Sequence, residues 1–72
     1  MKNNMVKIEI VVLPGTTVVQ ILNEITGVVL AEGHCAGTGE KVIPHAAARA
    51  LQELRKLADH AEAQLKESGI LP

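Results

Sequence analysis

Three histidines, one cysteine and a cluster of glycines are the residues of this 72-residue chain whose chemistry suggests a site. The glycines fall in Gly33-His34-Cys35-Ala36-Gly37-Thr38-Gly39-Glu40-Lys41, just ahead of a segment that opens Pro44-His45 and carries Arg49. Unpaired N–H groups of such a loop and the positive end of a following helix both favour an anion. His34, Gly37, Thr38, Gly39, Lys41, His45 and Arg49 are therefore the candidate ligand-binding set, with a phosphate-bearing small molecule such as a nucleotide as the matching ligand. The stretch departs from the phosphate-loop pattern GxxxxGK[ST], because Glu40 separates Lys41 from Gly39. His34 and Cys35, being adjacent, diverge on an extended chain, and the paired short spacings of a tetrahedral metal centre are missing. No metal and no cofactor are expected, and Cys35 reads as a free, small hydrophobe. His60 sits among Lys56, Asp59 and Gln64 and reads as solvated. The acidic residues stand singly, with no spacing that suggests a paired acid and base. The chain reads as noncatalytic.

These residues need elements to hold them. Val6, Ile8, Ile10 and Val12 alternate with Lys7, Glu9, Val11 and Leu13, and β-branched types dominate, which is the signature of a strand over Val6 to Leu13. Pro14-Gly15 reverses the chain into a second strand from Thr16 to Ile25. A helix through Val18, Ile21, Leu22 and Ile25 is the competing reading. Thr26-Gly27 turns the chain into a third strand, Val28 to Glu32, and Gly33 to Lys41 reads as a loop. From Pro44 to Ser68 the period changes, and Gly69 terminates a long helix. Ala47, Leu51, Leu54, Ala58, Ala61 and Leu65 draw its apolar stripe, widened by Ala50 and Leu57. The expected fold is α+β: a three-stranded antiparallel meander followed by one long C-terminal helix (β-β-β-α), as a single domain over residues 1–72.

Composition removes several classes of function. Phe, Tyr and Trp are all absent, so no aromatic platform exists for stacking bases. Seven basic against eight acidic residues leave a net charge of −1, which provides no field for gathering nucleic acid or an anionic membrane. One cysteine cannot close an internal disulfide, which points to a reducing cytoplasm. Lys7 and Glu9 interrupt the apolar run near the N-terminus, so neither a signal peptide nor a membrane span is expected. The reading is of a soluble, unprocessed protein.

The apolar inventory exceeds what one copy can hide. A helix from Pro44 to Ser68 runs about 37 Å, against about 20–27 Å for strands of six to eight residues. The helix overhangs its sheet, leaving Leu65, Ile70 and Leu71 without cover. If the even positions of the first strand face inward, Val11, Leu13, Val18, Leu22, Val29 and Ala31 face away from the helix. Small domains without disulfides or metals commonly remedy this by oligomerising. A homodimer or higher oligomer is expected, with Leu54, Ala58, Ala61, Leu65, Ile70 and Leu71 at its interface. An anionic small molecule or a protein is the further partner.

From Val19 to Leu54, the order of strand, Thr26-Gly27 turn, strand, glycine-containing loop and helix His45-Ala46-Ala47-Ala48-Arg49-Ala50-Leu51-Gln52-Glu53-Leu54 resembles the C-terminal half of a double-stranded RNA-binding domain. The resemblance covers about half the chain and implies the β-β-β-α order; double-stranded RNA binding is the alternative function that follows from it. In that family a basic cluster at the helix start grips phosphates. The matching positions here are Glu40, Lys41, Val42, Ile43 and Pro44, so one cation remains and a carboxylate joins it. The family's first helix has no counterpart before Val6, and its first loop is replaced by Leu13-Pro14-Gly15-Thr16. Phosphate neutralisation supplies most nonspecific affinity, so these departures argue against nucleic acid and toward an interaction module of the same shape.

Overall fold

A computed structural model describes residues 5–72; the expectation for the extreme N-terminus, Met1 to Asn4, lies outside them. Strands β1 (Val6–Leu13), β2 (Thr16–Asn23) and β3 (Val29–Ala36) precede one helix, α1 (Ile43–Glu67). The strands form an antiparallel sheet in the order β1-β2-β3. The fold is the expected α+β arrangement, and the segment Val18 to Asn23 is strand rather than helix.

Pairing across the sheet assigns each residue to a face. Ile8, Ile10 and Val12 lie opposite Ile21, Val19 and Thr17 of β2, which in turn lie opposite Ala31, Gly33 and Cys35 of β3. This is the face that α1 covers, where Val19, Ile21, Ala46 and Ala50 form the core with Cys35, Ile43, Ala47 and Leu54 packed around them. The register shifts between Ile21 and Leu22, leaving Leu30 without a partner. Such a bulge inverts the alternation locally. Ala31 consequently faces the helix and is buried, contrary to its expected outward orientation. Val18 and Leu22 do face away, yet both are buried, because the central strand is flanked by Val11 and His34 on one row and by Lys7 and Val29 on another.

Gly33 sets the distance between the layers. A Cβ there would overlap the backbone of Ala46 and Ala50, both fully buried. The helix thus seats on small residues, and its contact line runs through Ile43, Ala46, Ala50 and Leu54. The expected stripe is rotated accordingly: Leu51 is exposed instead of central. The reading of Gly33 to Ala36 as loop is also corrected, since β3 continues through them. Here glycine serves close approach to the helix.

Only the first three turns of α1 touch the sheet. From Arg55 onward every helical residue is exposed, including Leu57, Ala58, Ala61 and Leu65. The overhang has its own local supports: Lys66 Nζ lies 3.4 Å from Glu62, and the Ser68 hydroxyl donates to the Gln64 carbonyl at 2.9 Å. Gly69, at φ +80°, then lets the Ile70 and Leu71 amides return to the Leu65 carbonyl. No described helix is long and apolar enough to cross a membrane.

Candidate functional site

The loop from Gly37 to Val42 joins β3 to α1 and is anchored at its start. The buried Thr17 hydroxyl donates to the Gly37 carbonyl at 3.0 Å, and the Gly37 amide donates to the Gly15 carbonyl at 2.8 Å. Thr17 was not among the sequence-derived candidates; its only signal is a hydroxyl inside a β-branched run. The Val42 amide donates to the Gly39 carbonyl at 3.3 Å, closing the loop's second turn. The helix opens at Val42 with no side-chain cap and no acidic residue in its first turn, and Pro44 removes one of the donors that would otherwise be free.

The ligand-binding candidates divide between two faces. Gly37, Thr38, Gly39, Lys41 and His45 cluster around the helix start, with Lys41 and His45 exposed. His34 lies opposite Val18, on the face away from the helix, and its Nε2 is 3.2 Å from Glu32 Oε1. Gln20 Nε2 donates to the other Glu32 oxygen at 3.1 Å. The Gln20 hydrogen bond, then the His34 contact, hold the Glu32 carboxyl below its ordinary range. Arg49 donates to the His34 carbonyl at 2.6 Å, so its guanidinium reaches the sheet edge instead of the loop.

That hydrogen bond distinguishes the two edges of the sheet. Because Gly37 and Gly15 are a bonded pair, alternation makes Thr17 and Cys35 bonded and turns the His34 carbonyl outward from β3. Arg49 occupies that carbonyl, and the bulge at Leu30 interrupts the edge further along. On β1, the Glu24 amide bonds to the Met5 carbonyl, so the same alternation turns the N–H and C=O groups of Val6, Ile8, Ile10 and Val12 outward. Among the described residues nothing covers them.

The side chains of these residues are equally open. On one face of the sheet, Val19 and Ile21 are 2% and 5% exposed, whereas their β1 partners Ile10 and Ile8 are 49% and 54% exposed and Val12 is 61% exposed. One helix, about 10 Å wide, spans about two strands at 4.8 Å spacing, and α1 lies over β3 and β2. Arg49 points to the β3 edge; Leu51, about 200° further round the helix, points to the β1 side. The result is an apolar step: a floor of Ile8, Ile10 and Val12 beside a wall of Ala47 and Leu51. Leu54, expected at an interface, packs partly buried against the core, while Ala58, Ala61, Leu65, Ile70 and Leu71 are exposed along and beyond the overhang.

Among the described residues no three His, Cys, Asp or Glu side chains come together in a way that would hold a metal ion. Cys35 is free and half-buried against the core. Compared with protein-family models, curated proteins and solved structures, the chain matches none.

Proposed function

We propose that this is a noncatalytic, self-associating binding protein that docks onto or sequesters a partner through the apolar step beside β1. The observation that carries the reading is the contrast within one sheet face, where covered Val19 and Ile21 adjoin bare Ile10 and Ile8. Each aliphatic left wet forgoes roughly 1.5–3 kcal/mol of burial. A row of them along an otherwise regular strand is the chemistry of an interface. The overhanging stretch of α1 adds Leu57, Ala58, Ala61 and Leu65 to the same uncovered inventory. Light scattering at micromolar concentration tests the proposal: particles heavier than one chain support it, and Ile10→Asp reduces their mass. A folded 7.6 kDa monomer at those concentrations overturns it.

A second reading, anion binding at the helix start, is favoured by exposed Lys41 and His45 beside a first turn free of acidic residues. It rests on Gly37, Thr38, Gly39, Lys41 and His45; His34 and Arg49 are engaged elsewhere. Calorimetry with ATP and with inorganic phosphate tests it, and absence of heat from both removes it. Double-stranded RNA binding rests on the resemblance alone, and an absent gel shift at low salt ends it.

A further inference from the structure

We propose that β1 pairs, edge to edge and antiparallel, with β1 of a second copy, with Ile8 on the two-fold axis. This names the contact by which the self-association proposed above is made, and rests on that reading. Three observations converge on it. First, among the described residues the β1 edge is bare and regular, while the β3 edge is interrupted by the bulge and by Arg49 on the His34 carbonyl, so β1 is the edge suited to strand addition.

Second, the outward N–H and C=O groups belong to Val6, Ile8, Ile10 and Val12. An antiparallel register centred on Ile8 sets Val6 against the partner's Ile10 and Ile8 against the partner's Ile8, so bonded pairs fall on residues whose groups are free. About six interchain hydrogen bonds result.

Third, the sequence is complementary to itself about this centre. Val6-Lys7-Ile8-Glu9-Ile10, reversed, sets Lys7 against the partner's Glu9 and Glu9 against the partner's Lys7. Both side chains lie on the face away from the helix, Lys7 exposed and Glu9 half-buried, and already sit 3.5 Å apart within one chain. In the paired form they lie at non-bonded positions, where opposed side chains come closest. A register centred on Glu9 would oppose two carboxylates, and one centred on Ile10 would oppose Glu9 to Val11; only the Ile8 centre matches charge with charge. The two apolar floors then merge into one, bounded on each side by the Leu51 wall of a helix.

The test exchanges charges. Lys7→Glu gives a chain with two acids at these positions, and Glu9→Lys a chain with two bases. Each should self-associate about tenfold more weakly than wild type by sedimentation, since both cross-strand pairs become repulsive. Mixed in equal amounts, the two variants should recover wild-type affinity, because every Glu then meets a Lys; the double exchange should recover it as well. Amide exchange gives an independent reading on the unaltered protein. The Ile8 and Ile10 N–H groups have no partner among the described residues, so they should exchange slowly only at associating concentrations. A wild-type dimer whose variants associate unchanged, or whose mixture is not restored, overturns the edge pairing while leaving self-association standing. Fast exchange at Ile8 and Ile10 in such a dimer does the same. A wild-type monomer overturns both.

Discussion

The two halves of this molecule are both rich in aliphatic residues and end in opposite states. Where α1 crosses β3 and β2, glycine and alanine bring backbone against backbone, and Val19 and Ile21 close beneath them. Along β1 and the last three turns of the helix, isoleucine, valine and leucine stand in water. Hydrophobicity does not separate the halves, since the bare half holds the larger aliphatics. What separates them is reach: one helix covers about two strands, and Gly33 places it over the far pair.

The comparison is broken most severely at Gly33. Gly33→Ala forces a methyl into the backbone of Ala46 and Ala50, and destabilisation of about 3 kcal/mol or more is expected in a urea melt. A smaller loss, about 1–3 kcal/mol, is expected for Thr17→Val, which keeps the volume but leaves the Gly37 carbonyl without its donor. The bare half should behave differently. Leu65→Gln, measured in chains dilute enough to be monomeric, should change stability by less than about 0.5 kcal/mol, because that side chain is exposed and lies outside the packed core. An effect as large as that of Thr17→Val would mean that the two halves are not distinct.

The smallest effect concerns pH. The Glu32 carboxyl is held below its ordinary range by the Gln20 amide and then by His34. A lowered folded-state value contributes stability that is present above the unfolded carboxylate range and is lost as pH falls through the folded value. Gln20→Leu should move the Glu32 titration, followed by NMR, back up toward that range. An unmoved titration would show that the amide is not the principal cause.

Strand β1 was legible to the residue from its alternation and β-branching, and α1 to within one residue at each end. Local pattern sufficed because both elements obey their own period throughout. Gly33 to Ala36 was not legible, because glycine marks both loops and close backbone approach, and only the helix above distinguishes them. The bulge at Leu30 carries no proline or glycine to announce it, so Ala31 was assigned to the wrong face. The excess of apolar surface was readable as a quantity. Its location was not, because which strands the helix covers depends on where the glycine admits it. Of the candidate site residues, Gly37, Thr38, Gly39, Lys41 and His45 lie at the loop and helix start, whereas His34 is separated from them because β3 continues through it.

The helix is in effect a beam clamped at one end. Its grip lies at Ala46 and Ala50, and about 20 Å of free arm extends past Leu54. A force applied at Leu65 acts through that arm on a fulcrum made of a glycine and two alanines, where interlayer slack is least. Anything that grasps the tip therefore turns the whole rod against the sheet, and the tightness of the grip decides how faithfully the far end is aimed.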